Sequence, residues 1–385
     1  MTIKSAAMSL LAVVVILSPL WGSHLLWKLT PETELNMLVV DYTVPVDTYD
    51  HHKGLFWLLN YFRIRGKGNS DIWRDSRDYL GYKPDKLDEN KHLSEVSLDN
   101  YDWVYVADTY GVYGTNRAGQ DDEILDSYRV PKLLFGAFSL EDAAALFRFA
   151  EGGGNVVFEF NSFVGPTKKD ARTVAESVAG VKWTGWAGRF VSDLADETSI
   201  PSWFKSLFEA QYEGRPLPSG PGILLVHETG RLVVLDGAEF EKSVPFLRVT
   251  SKGKERFSSA HGTPPIFGWF SIVSKMRDTE VLAEVFLPTP LDWKVRCRDA
   301  RIPIIFPLLT RSQKDVSTRY YISSNIANLE KTPNFYQLAG LALLQAAIHR
   351  RRDNARDKPA YWQFYLTAMG EILKEASRKR SEVTR

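Results

Sequence analysis

The chain of 385 residues contains a single cysteine, Cys297. That scarcity excludes an intrachain disulfide and any zinc site built on cysteine ligands. A reactive thiol stays open, because Arg296 and Arg298 flank the residue and cations favour the thiolate; the plainer reading is a small buried side chain. Charge imbalance is missing too. With a formal net charge of +1, nothing draws the chain as a whole toward nucleic acid, and no nucleic-acid partner is expected. There is no P-loop, no G-x-G-x-x-G and no G-x-S-x-G, and "GKGNS" at 66–70 is only a glycine-containing loop. A nucleotide enzyme is therefore not expected, nor is a cofactor or a metal. Beyond the N-terminus, long apolar runs are also lacking, since each later stretch is interrupted within about ten residues and a span needs about 20.

The one long apolar stretch is residues 5–27, "SAAMSLLAVVVILSPLWGSHLLW", set between Lys4 and Lys28. Ala6 to Leu17 is its dense part, and Trp21 and Trp27 suit an interfacial belt. We read it as a retained anchor that would place the protein, single-pass, in the bacterial inner (cytoplasmic) membrane with its bulk extracytoplasmic. The rival reading is a cleaved signal peptide with its apolar region at 6–17, although no A-x-A-like triplet follows. Hydrophobic residues at 44% and charged residues at 25% describe a folded globular remainder. The unusual number is 11 Trp; Trp offers a flat platform for a glycan or other ligand, and large cores absorb it as well.

Periodicity organises the rest. "NMLVVDYTVP" (36–45), "YDWVYVADTYGVY" (101–113) and 155–160 read as strands. Helices are expected over 51–62, over 140–152 with Ser139 as N-cap, and over about 167–179. Alternation of strand and helix argues for an α/β fold with a doubly wound, mainly parallel sheet. Past residue 181 the texture changes. An aromatic-and-glycine segment (181–190), a helix (200–214) and a hairpin (220–237) are followed by strands at 245–250, 266–274, 280–287 and 302–310. Helices at 334–351 and 360–380 close the chain. The expected organisation is an anchor and stalk (1–35), an α/β core (36–180), a mixed, β-rich extension packed on it (181–332), and C-terminal helices with a basic tail (333–385).

Several expected strands end in polar residues: Asp41, Asp108 with Tyr110, and Glu159 with Asn161 and Ser162. In a parallel sheet these ends share an edge, where ligands bind. Converging carboxylates suit acid–base work at a glycosidic bond, with Asp108 and Glu159 as the catalytic candidates. The same residues also cap turns locally. His51-His52 opens the first helix just past the first strand; His52 is the ligand-contact candidate, with His51 expected to point outward. Trp186 and Arg189 have the ingredients to stack on a ring and hold a hydroxyl or carboxylate.

The succession "LVVDYTVP", "YVADTYGVY", "EGGGNVVFEFNSF" resembles the class I glutamine amidotransferase-like fold, a flavodoxin-type sheet. More loosely it is similar to membrane-anchored bacterial envelope proteins carrying such a domain. The resemblance covers roughly residues 36–180. Members that hydrolyse glutamine place a Cys on a strand-to-helix elbow with His and Glu partners, and no residue here matches that Cys; the elbow positions read "ADTYG" and "FNSFVG". The resemblance thus implies a non-catalytic or repurposed crevice that binds a ligand or partner, with an envelope polysaccharide as the candidate. The alternatives are an envelope glycan hydrolase and a scaffold subunit of an envelope export or synthesis complex. In the last case Phe335, Tyr336, Leu338, Leu341, Trp362, Phe364 and Tyr365 would form the docking surface.

Overall fold

The computed structural model describes residue 18 and residues 20–383, apart from 67–70, 115–123, 126–129, 197, 238, 240–242, 258–261, 289 and 350–357. The dense apolar part of the expected anchor (6–17), most of "GKGNS" and most of the acidic loop at 114–132 lie outside the described residues, as do the side chains of the basic tail. No helix among the described residues is long and apolar enough to cross a membrane.

The twelve strands of the two larger sheets are β1 (Met37–Asp41), β2 (Leu80–Gly81), β3 (Trp103–Asp108), β4 (Asn155–Phe158), β5 (Val181–Val191), β6 (Gly222–His227), β7 (Leu232–Leu235), β8 (Phe246–Val249), β9 (Trp269–Lys275), β10 (Thr279–Phe286), β11 (Ile305–Lys314) and β12 (Ser317–Ile322). The main sheet has eight strands in the order β8-β10-β11-β12-β4-β3-β1-β2. From β12 to β2 all pairings are parallel, whereas β8, β10 and β11 add an antiparallel edge. The expected α/β class with a mainly parallel sheet is therefore what the chain forms. Along the parallel half the sequence order is 2-1-3-4 followed by the late strand β12, the doubly wound order whose switch point falls between β1 and β3. A second sheet, β7-β6-β5-β9, is antiparallel.

Helices cover both faces of the parallel half. On one side, α1 (Asp50–Tyr61) packs Leu55, Leu58 and Leu59 into the same core as Val39, Tyr105 and Val157. On the other, α2 (Leu140–Glu151) and α3 (Lys169–Ala179) pack Leu146, Ala175 and Val178 against Val40, Val104, Val106 and Phe158. Burial on both faces is why β1 and β3 read as near-continuous apolar runs instead of alternating ones. Ser139 caps α2 as expected, its Oγ accepting from the Asp142 backbone N–H at 3.0 Å. The further helices are α4 (Ser202–Gln211), α5 (Ser251–Arg256), α6 (Leu291–Asp299), α7 (Leu341–His349) and, after a π-helical turn at Tyr361–Tyr365, α8 (Leu366–Val383).

Three expectations change. First, the parallel sheet does not end at residue 180, because its fifth parallel strand is β12, over a hundred residues later. Second, the aromatic-and-glycine segment at 181–190 is the strand β5, bulged between Trp183 and Ala187 around Gly185 at φ +90°. Third, tryptophan here is mostly core: Trp57, Trp103, Trp183, Trp186, Trp293 and Trp362 are all buried. The expected docking surface is largely interior as well, since Leu341, Trp362, Phe364 and Tyr365 are buried, Tyr336 and Leu338 are partly so, and only Phe335 is exposed.

Candidate functional site at the sheet switch point

β1 and β3 lie side by side, with Asp41 paired to Asp108 across a register shift at their carboxyl ends. Each acid uses one oxygen for a local turn. Asp41 Oδ1 accepts the Thr43 N–H at 2.9 Å, and Asp108 Oδ1 accepts the Tyr110 N–H at 2.8 Å. That is the turn-capping role that such residues commonly fill. The second oxygen of each points elsewhere. Asp41 Oδ2 lies 2.6 Å from His52 Nδ1, and Asp108 Oδ2 accepts from Asn161 Nδ2 at 2.6 Å. The Thr43 hydroxyl donates to Asp108 Oδ1 and accepts the Gly111 N–H at 2.8 Å, so the loops after β1 and β3 are tied together.

Both histidines reach this cluster, which corrects the expectation that His51 points outward. The helix begins at Asp50 after Tyr49 in the left-handed region, and the first turn therefore lies directly above the strand ends. His52 is fully buried, and its Nε2–H donates to the Asp75 carbonyl at 2.9 Å. With an acceptor at each nitrogen, its ring is locked. His51 Nδ1–H donates to the Thr43 carbonyl at 2.8 Å, which aims Nε2 at Asp108 Oδ2, 3.8 Å away. Its side chain remains 21% exposed, while Asp108 beneath it is almost wholly covered. His51 is thus the titratable group through which this cluster meets solvent.

The two acids are pushed in opposite directions. Burial raises Asp41, but the hydrogen bond from His52 and the charge of His51 outweigh it and hold the carboxyl below its usual value. For Asp108, burial dominates, and despite His51 and Thr43 its pKa is raised, with the Asp41 charge adding to the effect. Burial also works against a charged His51, yet Asp108, Asp41 and the Thr43 carbonyl together lift it above 6.5. The two acids displaced in opposite senses and a histidine displaced upward make an electrostatically asymmetric site.

The remaining sequence candidates fall differently. Glu159 is buried below the edge, accepting from the Tyr105 hydroxyl, which lies 2.6 Å from that of Tyr365; burial raises its pKa well above the carboxylate range. Enclosed in this way, it does not face a substrate beside Asp108. Ser162 is buried and its Oγ donates to the Glu159 carbonyl at 3.1 Å. Tyr110 contributes its backbone N–H to Asp108 while its ring packs against Tyr113. Trp186 is a core residue beside His227, and Arg189 lies half-buried over Trp269. Both lie on β5 of the second sheet, and among the described residues neither forms a hydrogen bond or ion pair with the acids. Cys297 is buried, and burial pushes its thiol up to about 11, so it is not an activated nucleophile. No group of three or more His, Cys, Asp or Glu side chains suited to a metal ion occurs among the described residues.

Thr43 and Tyr105 were not singled out from the sequence. Thr43 follows Asp41 by two positions in "DYTVP", a spacing that reads as turn chemistry; only the register of β1 against β3 brings its hydroxyl to Asp108. A groove of about 700 Å³ lies elsewhere, lined by Asp99, Asp102, Arg148 and Gly152–Asn155, at the amino ends of β3 and β4.

No protein-family model matches the chain, and no curated protein matches it. Among solved structures it is similar to a β-galactosidase from Bacillus circulans sp. alkalophilus, at 13% identity and a TM-score of 0.33, over 76% of this chain and 29% of that one. It is also similar to a carbohydrate deacetylase, at 10% identity and a TM-score of 0.36, over 87% of this chain and 33% of that one. A third is a ThuA-like protein from Bacteroides uniformis, at 9% identity and a TM-score of 0.36, over 77% of this chain and 83% of that one. The chain spans about a third of the length of the β-galactosidase and of the deacetylase.

Proposed function

We propose that the chain is a membrane-anchored, extracytoplasmic binding protein of the bacterial envelope that takes a hydroxyl-rich ligand, of the envelope-polysaccharide class, at the β1/β3 switch point. One observation carries the reading. His51 is reachable from solvent, oriented by the Thr43 carbonyl, and has its pKa lifted above the ordinary value by two carboxyls beneath it. Such a group donates a hydrogen bond to a hydroxyl or carboxylate oxygen, and a charged donor makes the stronger bond. The switch point of a doubly wound sheet is where such a ligand sits. The apolar 5–27 stretch supports the anchor.

A second reading, hydrolysis of an envelope glycan, is favoured by Asp108, a buried acid whose pKa is raised, lying 3.8 Å from the partly exposed His51. Because Glu159 is enclosed, the acid–base pair in that reading is His51 with Asp108. Calorimetric titration of the full chain, reconstituted in nanodiscs, with purified envelope polysaccharide fragments tests both. The binding reading expects saturable binding that His51→Gln weakens about tenfold or more, as the loss of a charged hydrogen bond would. Equal binding by wild type and His51→Gln removes it, and release of shorter fragments favours hydrolysis.

A further inference from the structure

The N-terminal helix that ends at Leu29 is clamped to the body. Ser23 Oγ donates to the Ala339 carbonyl at 2.7 Å, and the Ala339 N–H returns to the Ser23 carbonyl at 3.0 Å. His24 Nδ1–H donates to the Gln337 carbonyl at 2.8 Å, and Trp27 Nε1–H to the Tyr61 carbonyl at 2.8 Å. The Trp27 ring sits against Tyr336 and beneath the Arg63 guanidinium. This helix therefore holds a fixed position beside the segment that opens α7.

The N-terminal helix leaves several large apolar side chains exposed. Trp21 is 74% exposed, and Leu25 and Leu26 are exposed too. On α7, "LALLQAAIH", Leu341 and Ala342 turn inward while Leu343 is 69% exposed, with Leu344 and Ile348 also outside. The helix carries no Asp, Glu, Lys or Arg. Two neighbouring elements thus both expose large apolar side chains, which water disfavours and which mark an interaction surface.

We propose that this face rests in the interfacial layer of a lipid bilayer, so that α7 is a membrane-lying helix which sets the orientation of the whole domain. The proposal rests on the anchor reading above and adds a second contact to it. Three features name the occupant. The dense apolar run, residues 6–17, directly precedes the N-terminal helix in the sequence. Trp21 stands at the step from that run to the polar body, the depth at which tryptophan concentrates. The residues following α7 are Arg350, Arg351 and Arg352, and basic residues beside a membrane-lying apolar helix pair with anionic headgroups. The arrangement would hold the domain at a fixed tilt, where a tether alone would let it swing.

The test uses the full chain in vesicles of phosphatidylethanolamine and phosphatidylglycerol, with Cys297→Ala and one nitroxide label at a time on Leu10→Cys, Leu25→Cys, Leu344→Cys or Val316→Cys. Collision with oxygen against a water-soluble nickel chelate reads lipid or water. Labels at 10, 25 and 344 are expected to favour oxygen several-fold over the label at 316, which occupies an exposed turn. Lipid contact at 10 with water contact at 25 and 344 leaves the anchor standing and overturns the membrane-lying face. Water contact at all four overturns the anchor and this proposal together. Dipolar broadening between labels at 344 assigns the face to a second copy of the chain and also overturns it.

Discussion

His52 Nδ1 stands 2.6 Å from Asp41 Oδ2, and neither side chain reaches water. The pair joins the end of β1 to the helix that follows it, and the Asp75 carbonyl on the far nitrogen of His52 brings in the chain before β2. Removing one member strands the other in the interior. Asp41→Ala is expected to lower unfolding stability by about 3–5 kcal/mol, the usual cost of leaving half a buried pair. Urea denaturation of Asp41→Ala, His52→Ala and the double variant checks it. A double variant that loses far less than the sum of the singles identifies the pair as a unit.

The pH dependence follows from the directions of the shifts. His51 is raised above 6.5, so the stability linked to its proton is fully present below 6.5 and is lost as the pH rises through the folded value. Asp108 is raised from 3.8 and acts in the same sense, costing stability as the pH climbs from 3.8 through its folded value. Asp41 is lowered and acts oppositely, stabilising above 3.8 and losing that as the pH falls through its folded value. Denaturation between about pH 6 and 9 is therefore expected to show a decline that His51→Gln flattens. In an imidazole NMR titration Asp108→Asn should bring the His51 pKa down, because it removes the largest of the charges that lift it. An unchanged His51 titration would sink this account.

Asp142 does more than complete a helix cap. Its carboxylate accepts the Ser94 N–H at 2.8 Å and the Tyr42 hydroxyl at 3.2 Å, and Tyr42 OH in turn accepts the Leu93 N–H at 2.6 Å. Ser139→Ala removes one cap bond and is expected to cost about 1 kcal/mol. Asp142→Ala leaves the Ser94 amide and the Tyr42 hydroxyl without this partner in the interior, and about 2–4 kcal/mol is expected, since a charged acceptor serves several donors. Thermal or urea unfolding of the two variants side by side measures the difference.

How much of this could be read from the sequence depended on which residues announce burial. β1 and β3 are apolar on both faces, and their Asp ends mark the sheet edge, so the crevice was legible from 36–45 and 101–113. β12 was not. "STRYYI" opens on polar residues and carries Arg319, which reads as a surface residue. In the fold Arg319 is buried because Glu151 at 2.9 Å and the Ala150 carbonyl at 3.2 Å receive it, a pairing between distant segments that no local pattern carries. The same holds at the site. Helical spacing placed His51 and His52 on different faces, yet at the first turn of α1 both lie over the strand ends. Trp186 misled for the opposite reason, since an indole beside Arg189 has the ingredients of a stacking platform, although small neighbours also suit a packed turn. The bulge that Gly185 permits, at φ +90°, instead leaves its ring packed against His227.

Gly54 tests whether the docking of α1 sets the site. In an open helix interior, glycine to alanine stabilises by about 1 kcal/mol. Here an added Cβ would lie 2.4 Å from the Ala327 carbonyl oxygen and 2.9 Å from Tyr361 Cε2. Neither neighbour can yield easily. Tyr361 is buried with its hydroxyl donating to the Gly54 carbonyl at 2.7 Å, and the Leu329 N–H bonds the Asp50 carbonyl at 3.0 Å. Gly54→Ala is therefore expected to reverse sign and destabilise by about 1–3 kcal/mol, as overpacking does. By lifting α1 it should also part His51 from Asp108, lowering the His51 pKa and weakening ligand binding together. Gly22→Ala is the control, because a Cβ there meets nothing within 4 Å and the N-terminal helix should gain stability or stay unchanged. If Gly54→Ala proves as benign as Gly22→Ala, the contact of α1 with the 325–329 turn is not what holds the two histidines over the acids.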